Sequence, residues 1–512
     1  MTRFMVVADS HIRFPDDGAD EYPSNALMAD RNRWVVSLCN RLRPDFVVHL
    51  GDIVHPLPTD AGHEAAVGLA SEIYHRLKVP IHFVPGNHDI GDKPDSLVAV
   101  PAVADEHYGV FEGAWGRPFG SFDHGDAHVV LIDTPVLGSG LEREAAQREW
   151  LEEDLASAAG KRIYVFTHYP PFVTDPGEPE HYDNLAPEPR RWLLDLCAAH
   201  RVEAVFSGHV HNYLVNRHRG TDLYVLPATG FVRPDYSDTA PVAPERESGR
   251  DEPAKLGVFM VEVTPAGHRI RPLRTFGTIS GEPDDQERLA GGDWSSPVGA
   301  TLRHGWAMLH DLPTEGLDEF RRKTVRDDYA LLALREARIE RVRIPIGDVL
   351  SPAQRGRVRH LAEQGLRFSV FSAGEPGPAE HHAVADLADV LERWEVILPE
   401  ERWEALPGAP VPVAAAPIVP VGGPGHHFVS HGFRSGDTLP GLPCDEAVFG
   451  IDPGEQLAEA VAAAIESAAA AGMRAVVILR SRRAGDVEVF DDDAAVADWA
   501  ARCVRAAKEH PE

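Results

Sequence analysis

Short apolar runs alternate with longer amphipathic stretches through the first 230 residues or so. Runs at 4–8, 46–50, 81–84, 163–167 and 204–207 are rich in Val, Ile and Phe and too short for helices, so they predict buried strands. Between them, Trp34, Leu38 and Leu42 recur four apart, which puts them on one face of a helix over 26–42. Further helices are predicted at 64–77, 144–158 and 189–200. Residues 119–133 predict two strands around a Gly-Asp turn, and strands at 223–226, 256–263 and 269–273 complete the unit. Strand and helix in turn predict an α/β fold.

Residues 278–298 break this rhythm with Gly, Ser, Asp and Pro, and the pattern then restarts. Strand-like runs occur at 340–346, 367–372, 395–398, 411–419, 427–430 and 474–480. Ser351 and Pro352 open a helix that Gly365 ends, and helices follow at 455–471 and 491–508. The expected organisation is a domain over 1–280, a linker over 281–299 and a second α/β domain over 300–512. Repeated βα units imply a parallel sheet, open or closed, with a TIM-barrel-like form favoured. The polar, proline-rich stretch 231–255 is either a lid or a plain surface excursion.

Composition narrows the partners. At 512 residues the chain is too long for one core, and its formal net charge of -30 disfavours nucleic acid and anionic membrane surfaces. Small phosphate esters stay open, because bound cations dominate the local field of a site. The four cysteines form no CxxC pair, which fits a reducing compartment, and the location is read as cytoplasmic. The alanine-rich segment 458–471 carries Glu459 and Glu466 and is not a membrane span. A homo-oligomer is compatible with all of this.

The candidate chemistry follows five of the strand-like runs. Asp9 and His11 lie in ADSHI, Asp52 in HLGDIVH, Asn87 in PGNHD, His168 in FTHYP, and His209 and His211 in SGHVH. Seven oxygen and imidazole donors at strand ends are what a pair of cations needs. Asp52 is the natural bridge, because carboxylate oxygens can be shared and Gly51 lets the chain turn. Asp9 and His11, like His209 and His211, are two apart and would share a face of extended chain. Asn87 adds a neutral oxygen, which limits the negative charge.

This motif set, D-x-H, G-D, G-N-H-D, H and G-H-x-H, resembles the calcineurin-like metallophosphoesterase superfamily, nearest its cyclic-nucleotide-phosphodiesterase-like branch, over about residues 1–275. The resemblance implies an αββα sandwich for the first domain. It implies that Asp9, His11, Asp52 and His211 hold one metal and Asp52, Asn87, His168 and His209 the other. His88 would be the catalytic acid, steadied by Asp89. The implied reaction is attack on a small phosphodiester, cyclic or linear, by a hydroxide bridging two ions of Mn, Fe or Zn. The alternatives are phosphomonoester or nucleotide hydrolysis, nuclease activity, and a scaffold derived from such a site. His55 replaces the ferric-binding tyrosine of the purple acid phosphatase branch; it is an added ligand, a substrate contact, or a surface-loop histidine.

Other groups carry plainer expectations. His49 is structural. Tyr169, Pro170 and Pro171 either shape the pocket or pack. His181 and Tyr182 fall in a polar loop and are expected in solvent. His381 and His382 are expected to be solvated, and His426, His427 and His431 lack the carboxylate spacing of a metal site. Arg341, Arg343 and Asp348 are expected in internal salt bridges.

Overall fold

The computed structural model describes residues 2–14, 22–94, 100–237, 239, 246–283, 295–302, 305–313, 322–405, 408–420, 429–452, 456–480 and 493–510. They form two compact units, Met1–Asp293 with Met308–Glu336, and Trp294–Ala307 with Ala337–Glu512.

The first unit contains β1 (Arg3–Val7), β2 (Phe46–His49), β3 (Ile81–Phe83), β4 (Gly120–His124), β5 (Ala127–Leu131), β6 (Arg162–Thr167), β7 (Ala204–Ser207), β8 (Leu214–His218), β9 (Thr221–Val225), β10 (Gly257–Thr264) and β11 (Gly267–Arg274). Two sheets result, ordered β11-β10-β1-β2-β3 and β4-β5-β6-β7-β9-β8. Strands β1, β2 and β3 are parallel, as are β5, β6, β7 and β9. Strand β8 was not expected.

The two-residue period of the strands builds the layers. Met5 and Val7 turn to one face of β1 and pack with Trp34, Leu38 and Leu42 of the helix Met28–Leu42. Phe4 turns the other way, edge-on to Tyr164, Phe166 and Phe206 of the opposite sheet. On β6, Ile163 and Val165 likewise join the cluster holding Leu151, Leu155 and Leu193 of the helices Glu142–Ser157 and Pro187–Ala199. The order is helix, sheet, sheet, helix, as the family resemblance implied. His49 bonds Ser10 Oγ at 3.0 Å through Nε2, and burial pushes its pKa down to about 3, which suits a neutral structural imidazole.

In the second unit, strands Ala300–Thr301, Arg341–Pro345, Arg367–Ala373, Leu391–Leu398, Val413–Pro420, Glu446–Ile451 and Arg474–Leu479 follow one another in sequence order, all parallel. That is the wall of a βα barrel. Among the described residues no ladder joins its last strand to its first. Arg343 pairs with Glu395 at 2.7 Å, the expected internal salt bridge, and Asp348 accepts from Trp306 Nε1 at 2.8 Å. His431 meets Arg343 at 3.3 Å, and His381 stands edge-on to Trp394 at 5.2 Å. His426, His427 and linker positions 284–294 lie outside the described residues.

The hairpin Leu309–Pro313/Arg322–Arg326 and the helix Tyr329–Glu336 group with the first unit, although the sequence boundary assigned them to the second. Contacts decide this. Val325 packs among Val173, Val210, Leu214, Val225 and Tyr236, and Asp328 accepts from the Val215 amide at 2.9 Å.

Candidate metal centre

Backbone bonds carry the first sheet's order beyond its strand ends. The Asp9 amide donates to Gly51 O at 3.2 Å, His11 to Asp52 O at 2.9 Å and Ile12 to Ile53 O at 2.9 Å. Gly51 (φ +92°) and Gly86 let two loops touch backbone to backbone; a Cβ on Gly86 would fall 2.2 Å from the Asp52 amide nitrogen. The Asp89 carboxylate fastens these loops together, accepting from Gly86 N at 2.8 Å and Ile53 N at 3.0 Å.

Five of the seven expected donors adopt positive φ: Asp9 (52°), His11 (43°), Asp52 (50°), His209 (68°) and His211 (57°). The extended backbone expected for the Asp9/His11 and His209/His211 pairs is therefore corrected. Left-handed turns, not strand pleat, aim them together, each costing roughly 1–3 kcal/mol that the surrounding structure must hold in place.

All seven expected donors meet in one buried cluster. Ring and carboxylate atoms of Asp9, His11, Asp52 and His211 lie within 4.8 Å of one another, as do those of Asp52, His168 and His209. Asp52 belongs to both groups; its Oδ2 faces His11 Nε2 at 3.5 Å and its Oδ1 faces His168 Nε2 at 3.4 Å. Asn87 Oδ1 stands 2.9 Å from His168 Nε2 and 3.1 Å from His209 Nδ1.

Carbonyl oxygens fix the outward ring nitrogens. His168 Nδ1 donates to Leu50 O at 2.8 Å, His209 Nε2 to Tyr182 O at 3.2 Å and His211 Nδ1 to Phe231 O at 2.9 Å. In His209 and His211 the inward nitrogens are left as acceptors, and His11 Nε2 and His211 Nε2 face each other at 3.0 Å. The charges of Asp52 and Asp9 overcome burial and raise His168 to about 9, so its inward Nε2 carries a proton until a cation displaces it. Lone pairs converging in this way suit cations, and carbonyls behind ligand imidazoles set the ligating tautomer. Burial holds His11, His209 and His211 well below the usual histidine range, so all three are neutral. Burial raises Asp9 to about 8, whereas for Asp52 the charges of His168 and His88 overcome burial and hold the carboxyl well below its ordinary range. The donor set fits two cations sharing Asp52.

A cavity of about 270 Å³ opens on this cluster, and His55, His88, Tyr182 and Phe231 line it. His88 is held by the carbonyl of His55 through Nδ1, and its amide donates to Asp52 Oδ1 at 2.8 Å. The expected support from Asp89 is thus exerted on loop backbone rather than on the His88 ring. His55 Nδ1 lies 3.3 Å from His11 Nδ1, and a third donor group unites His11, His55 and His88.

Two sequence expectations fail. His181 is buried, 3.3 Å from Glu178, and Tyr182 lines the cavity, its hydroxyl accepting from Asn87 Nδ2 at 3.2 Å. A network that includes Asp183 draws their polar loop inward. The Asp183 carboxylate contacts Arg233 and Lys323 and accepts from Tyr236 Oη at 2.7 Å. Sequence reasoning also missed Arg13, Phe231, Arg233 and Arg250 on the cavity wall. Their one available signal was closeness to His11 or a place in the proline-rich stretch.

Residues 2–213 match the calcineurin-like phosphoesterase family. The chain is 30% identical over 225 residues to serine/threonine-protein phosphatase CPPED1 of Danio rerio, covering 42% of this chain and 69% of that protein. It is 29% identical over 244 residues to glycerophosphodiester phosphodiesterase GpdQ of Enterobacter lignolyticus, covering 46% of this chain and 80% of that one. Among solved structures, purple acid phosphatase PPD1 from yellow lupin aligns at 17% identity over 54% of this chain and 51% of its own, with a TM-score of 0.36.

Proposed function

The chain belongs to the calcineurin-like phosphoesterase family, whose relatives here are phosphoric ester hydrolases, and from that premise we propose that it hydrolyses a small phosphodiester at two adjacent cations. The observation that carries the reading is the pair of donor groups meeting at Asp52. Asp9, His11, Asp52 and His211 would hold one ion; Asp52, Asn87, His168 and His209 would hold the other. Nitrogen and oxygen donors of this kind accept Mn, Fe or Zn. Bound there, the ions would supply an activated water and neutralise charge on the phosphoryl oxygens.

The chain's own groups do the remaining work. His88 commits Nδ1–H to the His55 carbonyl, so Nε2 is the ring atom left to face the leaving oxygen, and a protonated His88 delivers its proton there. Tyr182 positions the Asn87 amide, and Phe231 covers His11 and His211 at ring distances of 4.7 and 4.5 Å, limiting their access to water. His55, beside His88, is assigned a substrate contact.

Resemblance to GpdQ favours the diester; resemblance to CPPED1 supports phosphomonoester hydrolysis as a second reading. The net charge of -30 works against a nuclease, and the complete donor set works against a scaffold. A cytoplasmic setting agrees with four unpaired cysteines, and among the described residues no helix is long and apolar enough to cross a membrane. The test is one panel of mono-, di- and cyclic phosphates, assayed with Mn, Fe or Zn after chelation. Faster turnover of monoesters than of diesters would replace the first reading by the second, and an inert panel would remove both.

A further inference from the structure

The nitrogen on the outer side of the His11 ring ends on another ring. His168, His209 and His211 are each fixed by a backbone carbonyl, from Leu50, Tyr182 and Phe231. His11 Nδ1 instead lies 3.3 Å from His55 Nδ1. Its other nitrogen, Nε2, turns inward, 3.0 Å from His211 Nε2 and 3.5 Å from Asp52 Oδ2.

Backbone bonds bring the two rings together. Beyond β1 and β2 the His11 amide donates to Asp52 O at 2.9 Å, Ile12 to Ile53 O at 2.9 Å and His55 to Ile12 O at 3.0 Å. Residues 11–12 therefore run beside 52–55 as a continuation of the sheet, with a parallel bridge between Ile12 and Val54. The His55 ring also stacks on His88 at 5.3 Å, and the His55 carbonyl accepts from His88 Nδ1.

A carbonyl only accepts, so it dictates the tautomer of the imidazole it meets. A neutral imidazole nitrogen either donates or accepts. Two arrangements therefore satisfy the contact between His11 and His55. If His55 Nδ1 donates, the His11 proton sits on Nε2, where it blocks an ion. If His11 Nδ1 donates, a lone pair on His11 Nε2 faces Asp52, and the His55 proton sits on Nε2. The second arrangement is the one that agrees with a cation among Asp9, His11, Asp52 and His211. An additional ion shared by His11, His55 and His88 would require His11 to ligate through both ring nitrogens.

We infer that His55 is a positioning residue for His11: its Nδ1 accepts from His11 Nδ1–H, holds His11 in the ligating tautomer, and leaves His55 Nε2–H to donate to a substrate oxygen. This rests on the two-cation reading and adds the residue that readies one ligand for its ion. Residue 55 then orients two groups, His11 through its ring and His88 through its backbone carbonyl, and a side-chain substitution separates the two roles.

Zinc binding to the full chain, followed by competition with a coloured chelator, tests this without turnover. The native chain should take two ions. In H55F, which keeps a ring beside His88 and removes the acceptor, one of the two dissociation constants should rise about tenfold or more, and the other should stay within about threefold, because His11 holds one ion. H55N offers an amide oxygen near the place of Nδ1 and should bring the weakened constant back to within about threefold of native. A melting curve of each metal-free variant reports folding, and H55L replaces H55F if H55F does not fold. Native affinity in the folded variant lacking the acceptor, equal weakening at both ions, or no recovery in H55N overturns the inference. So does a third zinc equivalent that disappears with the His55 ring, which would make His55 a ligand. Failure of the two-cation reading is distinct: the native chain itself would bind fewer than two zinc ions. Failure of the phosphoesterase reading is distinct again, as two bound zinc ions with no release of p-nitrophenol from p-nitrophenyl phosphate or its bis ester.

Discussion

Replacing Lys323 by methionine probes how far the hairpin beyond residue 308 supports the site. The Lys323 side chain is 0% exposed, and its ammonium contacts Asp183 and Asp235, which are 0% and 3% exposed. Burial alone would raise the Asp183 carboxyl; the charges of Arg233 and Lys323 overcome it and hold Asp183 well below the usual range. Methionine matches the stem of lysine and removes only the charge. Breaking a buried ion pair costs about 3–5 kcal/mol. Arg233 still faces both carboxylates, reaching Asp235 at 3.1 Å, so the lower end, about 3 kcal/mol, is expected. At about 1.5 °C per kcal/mol for a unit of about 320 residues, the calorimetric transition of the first unit should drop by about 4–5 °C. The loss should also reach the metal centre, because Asp183 follows Tyr182, whose carbonyl orients His209 at 3.2 Å. Zinc affinity should fall about tenfold. In K323M/D235N, where one stranded carboxylate becomes an amide, part of the melting loss should return. A K323M protein that melts within about 1 °C of the native chain, with unchanged zinc affinity, would refute the reasoning.

Three further outcomes are expected. Asp52→Asn and Asn87→Ala should each lower phosphoester hydrolysis at least about 100-fold while the far-ultraviolet circular dichroism stays native; full activity with full metal content in either would remove the ligand assignment. Gly86→Ala should destabilise the first unit by about 3 kcal/mol in urea melts and impair hydrolysis, since the added Cβ would lie 2.2 Å from the Asp52 amide; native kinetics would contradict the close approach. Glu203 is depressed to about 2, because His268 and Arg162 overcome its burial. A depressed carboxyl stabilises the fold above its ordinary value of 4.5 and loses that contribution as pH falls toward 2, so Glu203→Gln should flatten melting temperature against pH in this window. An unchanged slope would show that the pairing does not matter.

The donors were legible because each follows a short apolar run, and strand ends in a parallel sheet bring such positions together. Trp34, Leu38 and Leu42 gave the helix face directly, since an outer-layer helix has one buried side. What escaped notice depends on contacts distant in sequence. Tyr182 looked solvent-bound in its polar loop, yet Lys323, Arg233 and Tyr236 hold Asp183 inward from far along the chain. The hairpin carrying Lys323 is short and polar, with no period to tie it to the first unit. Strand Glu446–Ile451 was overlooked although Pro443 before it and Asp452, Pro453 and Gly454 after it are turn-favouring residue types; Gly450 inside the run weakens a strand reading. That Arg13 and Arg250 line the cavity is seen only once the chain is folded.

The left-handed backbone at Asp9, His11, Asp52, His209 and His211 restricts the evolutionary routes away from this centre. Aspartate, asparagine and histidine tolerate that conformation, and glycine adopts it freely; β-branched replacements do not. A descendant that abandoned catalysis would still be selected, for conformational reasons alone, to keep small polar residues at most of these places. His168 and Asn87 stand outside that set. Their retention or loss among distant kin is therefore the more telling sign of whether the chemistry survives.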